Sequence, residues 1–171
     1  MTEYFDVLDQ HGNKLGKTQA KGSPMAPGEY YLGVHVYIYN GDKEFLMHQR
    51  SMDKAFRPGG WETVLEHAVA GETSAETARR GVQEEMGLDI PLDVFGQYEK
   101  VVVDSYRTLY QHILHVYVVA YDFDIGQVVI QPSEVMDCRA FSYEEMVAHV
   151  QQMDYRPQDY RDAVLGLMGQ I

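Results

Sequence analysis

The residues best suited to chemistry lie between Gly59 and Leu88. Glu72 follows Gly71, Arg80 stands one helical face further on, and Glu84 and Glu85 are adjacent carboxylates just before Gly87. Carboxylates grouped this closely are costly to hold together unless positive charge sits among them. A hard divalent cation carrying a phosphate ligand would supply it. Cleaving a diphosphate makes the same demand, because a metal must neutralise the phosphoryl oxygens and orient a water. Arg80 has the planar fork that grips a carboxylate at two points. Gly71 lets the chain turn tightly ahead of the next element.

A helix has to present these groups. Thr73 or Ser74 suits its N-cap, Glu76 its first turn and Gly87 its stop. At about 100° per residue, Ala75, Ala78, Val82 and Met86 share one narrow arc that faces a core. Thr77, Gly81, Glu84 and Glu85 fall on the neighbouring arc. The spacing thus predicts a carboxylate edge beside a buried face.

The flanking chain reads as strands and two further helices. Residues 3–9 form a short strand, with 14–17 returning as its hairpin partner, and 20–28 is a Gly- and Pro-rich loop. Residues 30–39 and 44–49, split by Asn40-Gly41-Asp42, read as a hairpin. A polar loop runs from Arg50 to Gly60, and 61–69 is extended. Long strands are expected over 92–103 and 108–123, and a short one over 126–130. Ser142 and Glu145 have capping-box spacing ahead of a helix through Met146, Val147 and Val150, and a last helix starts near Pro157. The result is one domain over 1–171, with an N-terminal hairpin and loop at 1–28 and C-terminal helices at 142–171. Its class is α/β or α+β, with helices packed on a sheet.

The residues from 66 to 88 resemble the Nudix box, G-x5-E-x7-R-E-U-x-E-E-x-G-U, where U is bulky and apolar. Glu72, Arg80, Val82, Glu84, Glu85, Gly87 and Leu88 fill its positions. The opening YFDVLDQHGNKLGK, the FLMHQRS strand and the PGGW approach are similar to Nudix proteins related to isopentenyl diphosphate isomerase. The resemblance implies a mixed β-sheet sandwiched between helices, and hydrolysis of a diphosphate linkage with Mg²⁺ or Mn²⁺. It implies catalytic roles for Glu84, Glu85, Glu72 and Arg80, with Arg80 orienting Glu72. Arg50 and Lys54 are the substrate contacts it points to, and Glu134 lies in a loop that relatives use near substrate.

Two positions depart from the pattern. Glu66 stands where the box has Gly, and Gly81 stands where it has a metal-binding Glu. That Glu and Glu85 would be one turn apart and converge on one ion. A Gly there also costs about 1 kcal/mol of helix propensity relative to Ala. One carboxylate is lost and one gained within a single motif, so Glu66 is expected to enter the space at Gly81 and join Glu84 and Glu85 as a metal ligand. The isomerases place a catalytic Cys where this chain has Leu65, and the sole cysteine is Cys138, so isomerase chemistry is not expected. His67 lies where the isomerases have a metal ligand, and a strand histidine bonded to a neighbour is the other reading.

Composition sets the outer limits. The formal net charge of −12 argues against a nucleic-acid or anionic-membrane surface, which needs clustered Lys and Arg. A small-molecule diphosphate is still compatible, because a cation and a few basic groups can reverse the field in one cleft. One cysteine permits no intrachain disulfide, the first residues carry no signal pattern, and no apolar run spans a bilayer, so a cytoplasmic location is expected. A homodimer is compatible with all of this. The expectation is a metal-dependent hydrolase of a nucleoside-diphosphate-like or other organic diphosphate. The alternative is a catalytically weak or inactive Nudix domain that binds a phosphorylated ligand or partner.

Overall fold

The sheet is built around one long apolar strand. The computed structural model describes residues 1–104 and 111–171. In it β3 (Tyr31–Tyr39) lies parallel to β8 (His112–Ala120), in register from Tyr31↔His112 to Tyr39↔Ala120. β7 (Glu99–Val103) continues the sheet antiparallel to β8. On the other side β6 (Val64–His67) pairs antiparallel with residues 33–36 of β3. Next come β4 (Phe45–Arg50), the two-residue β5 (Trp61–Glu62) and β9 (Val135–Phe141), all antiparallel. A separate ribbon joins β1 (Tyr4–Leu8) to β2 (Lys14–Ala20). Its turn is closed by the Asp9 carboxylate, which accepts from the amides of His11 and Asn13 at 2.8 and 2.9 Å.

Because side chains alternate across a strand, β3 feeds two cores. Val34, Val36 and Ile38 pack with Val64, Tyr117 and helix α1 (Ser74–Met86). Tyr37 packs on the other face with Leu114, Val116, α2 (Tyr143–Gln151) and α3 (Gln158–Met168). A mixed sheet thus lies between helical layers, as expected.

Several local expectations need correction. Residues 30–39 and 44–49 meet as a hairpin only at Tyr39↔Phe45, because β6 occupies the edge of β3 that β4 would have taken. The stretch 61–69 breaks at Thr63, whose buried hydroxyl donates to the Val36 carbonyl. Residues 92–103 are strand only from Glu99. Pro91 starts a 3₁₀ turn over Leu92–Val94 instead, its missing N–H and fixed φ being unsuited to a strand interior. The strand expected over 108–123 is observed as His112–Ala120, and residues 108–110 lie outside the described residues. Residues 126–130 hold no strand, and Ile125–Gln127 is a 3₁₀ turn. β9 was not foreseen: only its ends, Val135 and Phe141, are buried, so it lacks an alternating apolar signal.

Candidate active site

α1 forms for the reasons its sequence gives. Thr73 and Glu76 make a reciprocal capping box, and Gly87 ends the helix in the left-handed region at φ 68°. Ala78, Val82 and Met86 are fully buried. That anchors the helix and sets Arg80, Gly81 and Glu85 against β6, at His67, Glu66 and Leu65.

Arg80 clasps the loop ahead of its own helix. Its Nε donates to Glu72 Oε1 at 2.8 Å and its Nη2 to Glu72 Oε2 at 3.0 Å. Nη2 also donates to the His67 carbonyl at 2.8 Å. Glu72 accepts from the Val69 amide and the Thr77 hydroxyl as well. Burial works to raise the Glu72 carboxyl, but these hydrogen bonds prevail and hold it below its ordinary value. Glu84 is exposed and reaches Arg80 at 3.4 Å.

Glu66 and Gly81 are in contact. A Cβ added at Gly81 would lie 2.8 Å from Glu66 Cβ and 3.3 Å from Glu66 Cγ. The Glu66 side chain therefore occupies the room that any other residue at 81 would need. Its carboxylate takes Arg80 Nη1 at 3.2 Å and the His67 amide at 2.8 Å. Glu85 has its carboxyl pushed well up, first by burial and then by the charges of Glu62 and Glu66. Beside it, the buried His48 stands with Nε2 3.3 Å from Glu62 and 3.8 Å from Glu85, while its Nδ1 has no partner. Glu62 and His48 face each other across β4 and β5. Sequence reasoning missed this pair because only the strand register reveals it.

The donor chemistry here is carboxylate oxygen, which suits Mg²⁺ or Mn²⁺. Among the described residues no three His, Cys, Asp or Glu side chains already converge on one point. Glu66 and Glu84 both lie against Arg80, at 3.2 and 3.4 Å, so a cation would have to draw them from that guanidinium. The crowding that raises Glu85 is the kind of strain a bound cation relieves.

Other polar and aromatic residues are placed as follows. Arg50 is engaged internally, donating to the Phe56 carbonyl at 2.8 Å and to Glu62 at 2.7 Å. Lys54 is paired with Glu134. His112 and His115 point to opposite faces, the first stacked on Tyr31 and the second on Tyr98. Trp61 packs against Phe141 at the core edge. His67 lies edge-on to Tyr31 at 5.0 Å. Its ring is crowded by protein yet open to a cavity, and its pKa falls to about 4 through burial and the charges of Lys21, Arg156 and Arg80. That cavity, of about 460 Å³, lies between the N-terminal ribbon and the end of β6. Tyr4, Phe5, Met25 and Tyr31 give it an apolar wall, and Lys21 and Arg80 put positive charge on it.

A family model described as the NUDIX domain matches residues 29–161. The chain belongs to the Nudix family. Among Nudix relatives, the uncharacterized Nudix hydrolase lmo0368 of Listeria monocytogenes is 32% identical over 85% of this chain and 83% of its own length. The isopentenyl-diphosphate Delta-isomerase of Pectobacterium atrosepticum is 30% identical over 90% of this chain and 83% of its own. Among solved structures, DR0079 from Deinococcus radiodurans superposes with a TM-score of 0.67 at 17% identity, covering 96% of this chain and 99% of that one. This last likeness bears on the fold, and the Nudix sheet and helices are those described above. Among the described residues no helix is long and apolar enough to cross a membrane.

Proposed function

We propose that this chain hydrolyses an organic diphosphate with Mg²⁺ or Mn²⁺, and that Glu66 replaces the carboxylate missing at Gly81. The observation that carries this reading is the packing of Glu66 onto Gly81, on the same side of the fold as Glu85. Glu85, Glu84 and Glu66 would hold the cation, which when bound supplies charge neutralisation and an activated water. Arg80 and Glu72 are positioning residues: their clasp fixes the start of α1 against β6. The apolar cavity beside Arg80 and Glu66 is large enough for a nucleoside-sized organic group. Arg50 and Lys54 serve the substrate by freeing themselves from Glu62 and Glu134. Leu65 cannot do the work of the isomerase Cys, so proton transfer to an allylic carbon is not the chemistry proposed. A small ligand and a net charge of −12 fit an enzyme of the cytoplasm.

The test is cleavage of a panel of nucleoside-diphosphate-linked and other organic diphosphates, read by chromatography of the phosphorylated products, with and without Mg²⁺ or Mn²⁺. Metal-dependent turnover is expected on at least one compound, falling by about a hundredfold or more in Glu85→Gln. Binding of these compounds with no turnover would overturn the reading in favour of a non-catalytic Nudix domain.

A further inference from the structure

Arg156 stands just ahead of α3 and is 7% exposed, the one buried Asp, Glu, Lys or Arg among the described residues. A buried charge is costly unless paired, and buried guanidinium groups are almost always bonded. Yet among the described residues the Arg156 guanidinium has no carboxylate partner and donates to no acceptor. Its neighbours are rings, with Tyr160 at 5.3 Å and Tyr155 at 5.9 Å. The Tyr160 hydroxyl is already taken by Tyr37 and His35, each at 2.7 Å. Burial, and then the charge of Arg156, keeps His35 neutral. Among the described residues, then, no carboxylate is paired with Arg156.

A second arginine shares its ring. Arg57 lies over Tyr155 at 3.7 Å and reaches the Trp61 carbonyl only at 3.5 Å. Its backbone is left-handed, at φ 48°, a conformation that costs a non-glycine residue about 1 kcal/mol or more. Strain of this kind persists where a side chain must be held in place. Arg57, Arg156, Tyr155 and Glu62 line one narrow cleft of about 10 Å³, the room of a single oxygen atom. Glu62 is itself occupied by Arg50 and His48. It also links the cleft to the carboxylate cluster, since its charge bears on both Tyr155 and Glu85.

We propose that Arg156 and Arg57 form a phosphoryl-binding site, receiving one phosphoryl group of the diphosphate while the carboxylate cluster near Glu85 takes the other. This rests on the diphosphate reading above. One phosphoryl oxygen enters the cleft between the two guanidinium groups. Two guanidinium groups that have no carboxylate partner among the described residues, set on an aromatic wall, provide forks that phosphate oxygens match. In a chain of net charge −12, such a local excess of positive charge marks where an anion is taken.

The test is a titration of inorganic phosphate into the full chain with a metal chelator present, followed by the arginine side-chain NMR signals. Saturable binding is expected, with Kd raised about tenfold or more in Arg156→Met and in Arg57→Gln. In Glu144→Ala, which removes an exposed carboxylate of α2, the affinity should stay within about twofold of wild type. The melting temperature of Arg156→Met should not fall, because an unpaired buried charge is kept at the expense of stability. Should that variant fail to fold, Arg57→Gln, whose side chain is partly exposed, decides the matter. Equal phosphate affinity in wild type and Arg57→Gln overturns the proposal. The hydrolysis reading fails separately, if phosphate binds at the arginines but no diphosphate is cleaved.

Discussion

At the scale of single residues, Arg80 carries the architecture of the box on one guanidinium. Two of its bonds grip Glu72, a third holds the His67 carbonyl, and Glu66 completes the ring of charge. Lysine cannot reproduce a fork, so Arg80→Lys should cost about 1–3 kcal/mol at neutral pH. The pH dependence follows from Glu72, whose folded pKa is depressed below 4.5. Such a group contributes stability that is complete above its unfolded pKa and is lost as pH falls through the folded value. Denaturant titrations at pH 7 and pH 3 should therefore show a wide gap between wild type and Arg80→Lys at pH 7 and a narrower one at pH 3. A gap of equal size at both would place the cost in packing instead. The partnership of Arg80 with Glu72 was legible from the motif. The unpaired state of Arg156 was not, because no sequence pattern distinguishes a surface arginine from one folded under a tyrosine.

At the scale of elements, the contact between α1 and β6 gives the site its character. A glycine inside a helix is usually improved by alanine, by about 1 kcal/mol. At Gly81 the new methyl would meet Glu66 Cβ at 2.8 Å and Val64 Cγ1 at 3.3 Å. Gly81→Ala should therefore destabilise the chain, by about 1–3 kcal/mol as overpacking does. In the Glu66→Gly background the obstruction is gone, and the same substitution should turn neutral or stabilising. Thermal denaturation of the four proteins in this cycle reads the coupling directly. Additive effects would mean that the two positions do not answer one another. The helix was readable because its caps and its apolar arc are local signals. The pairing of Glu66 with Gly81 was readable because both break one motif. The splayed β3 and β4 and the edge strand β9 were not, since each depends on which distant strand takes which edge.

At the scale of the whole molecule, a chain of net charge −12 gathers several of its carboxylates at one end of a helix. Like charges held together work against folding, and a cation bound to the native state alone stabilises it. Addition of Mg²⁺ or Mn²⁺ should raise the melting temperature, since a ligand at 100 times its Kd contributes about 2.7 kcal/mol. NaCl at equal ionic strength should do much less, because it screens charge without being ligated. Family and layered fold were both legible in the sequence. The pair of Glu62 with His48 and the arginine cleft became visible only once the strands were placed side by side.

The central claim is that a strand carboxylate stands in for the one absent from the helix. Calorimetric titration of Mn²⁺ into wild type, Glu66→Ala and Glu144→Ala tests it, the last being an exposed carboxylate in the first turn of α2. The account predicts that Glu66→Ala weakens Mn²⁺ binding by about tenfold or more while Glu144→Ala leaves it unchanged. Mn²⁺ affinity in Glu66→Ala equal to that of wild type would contradict it.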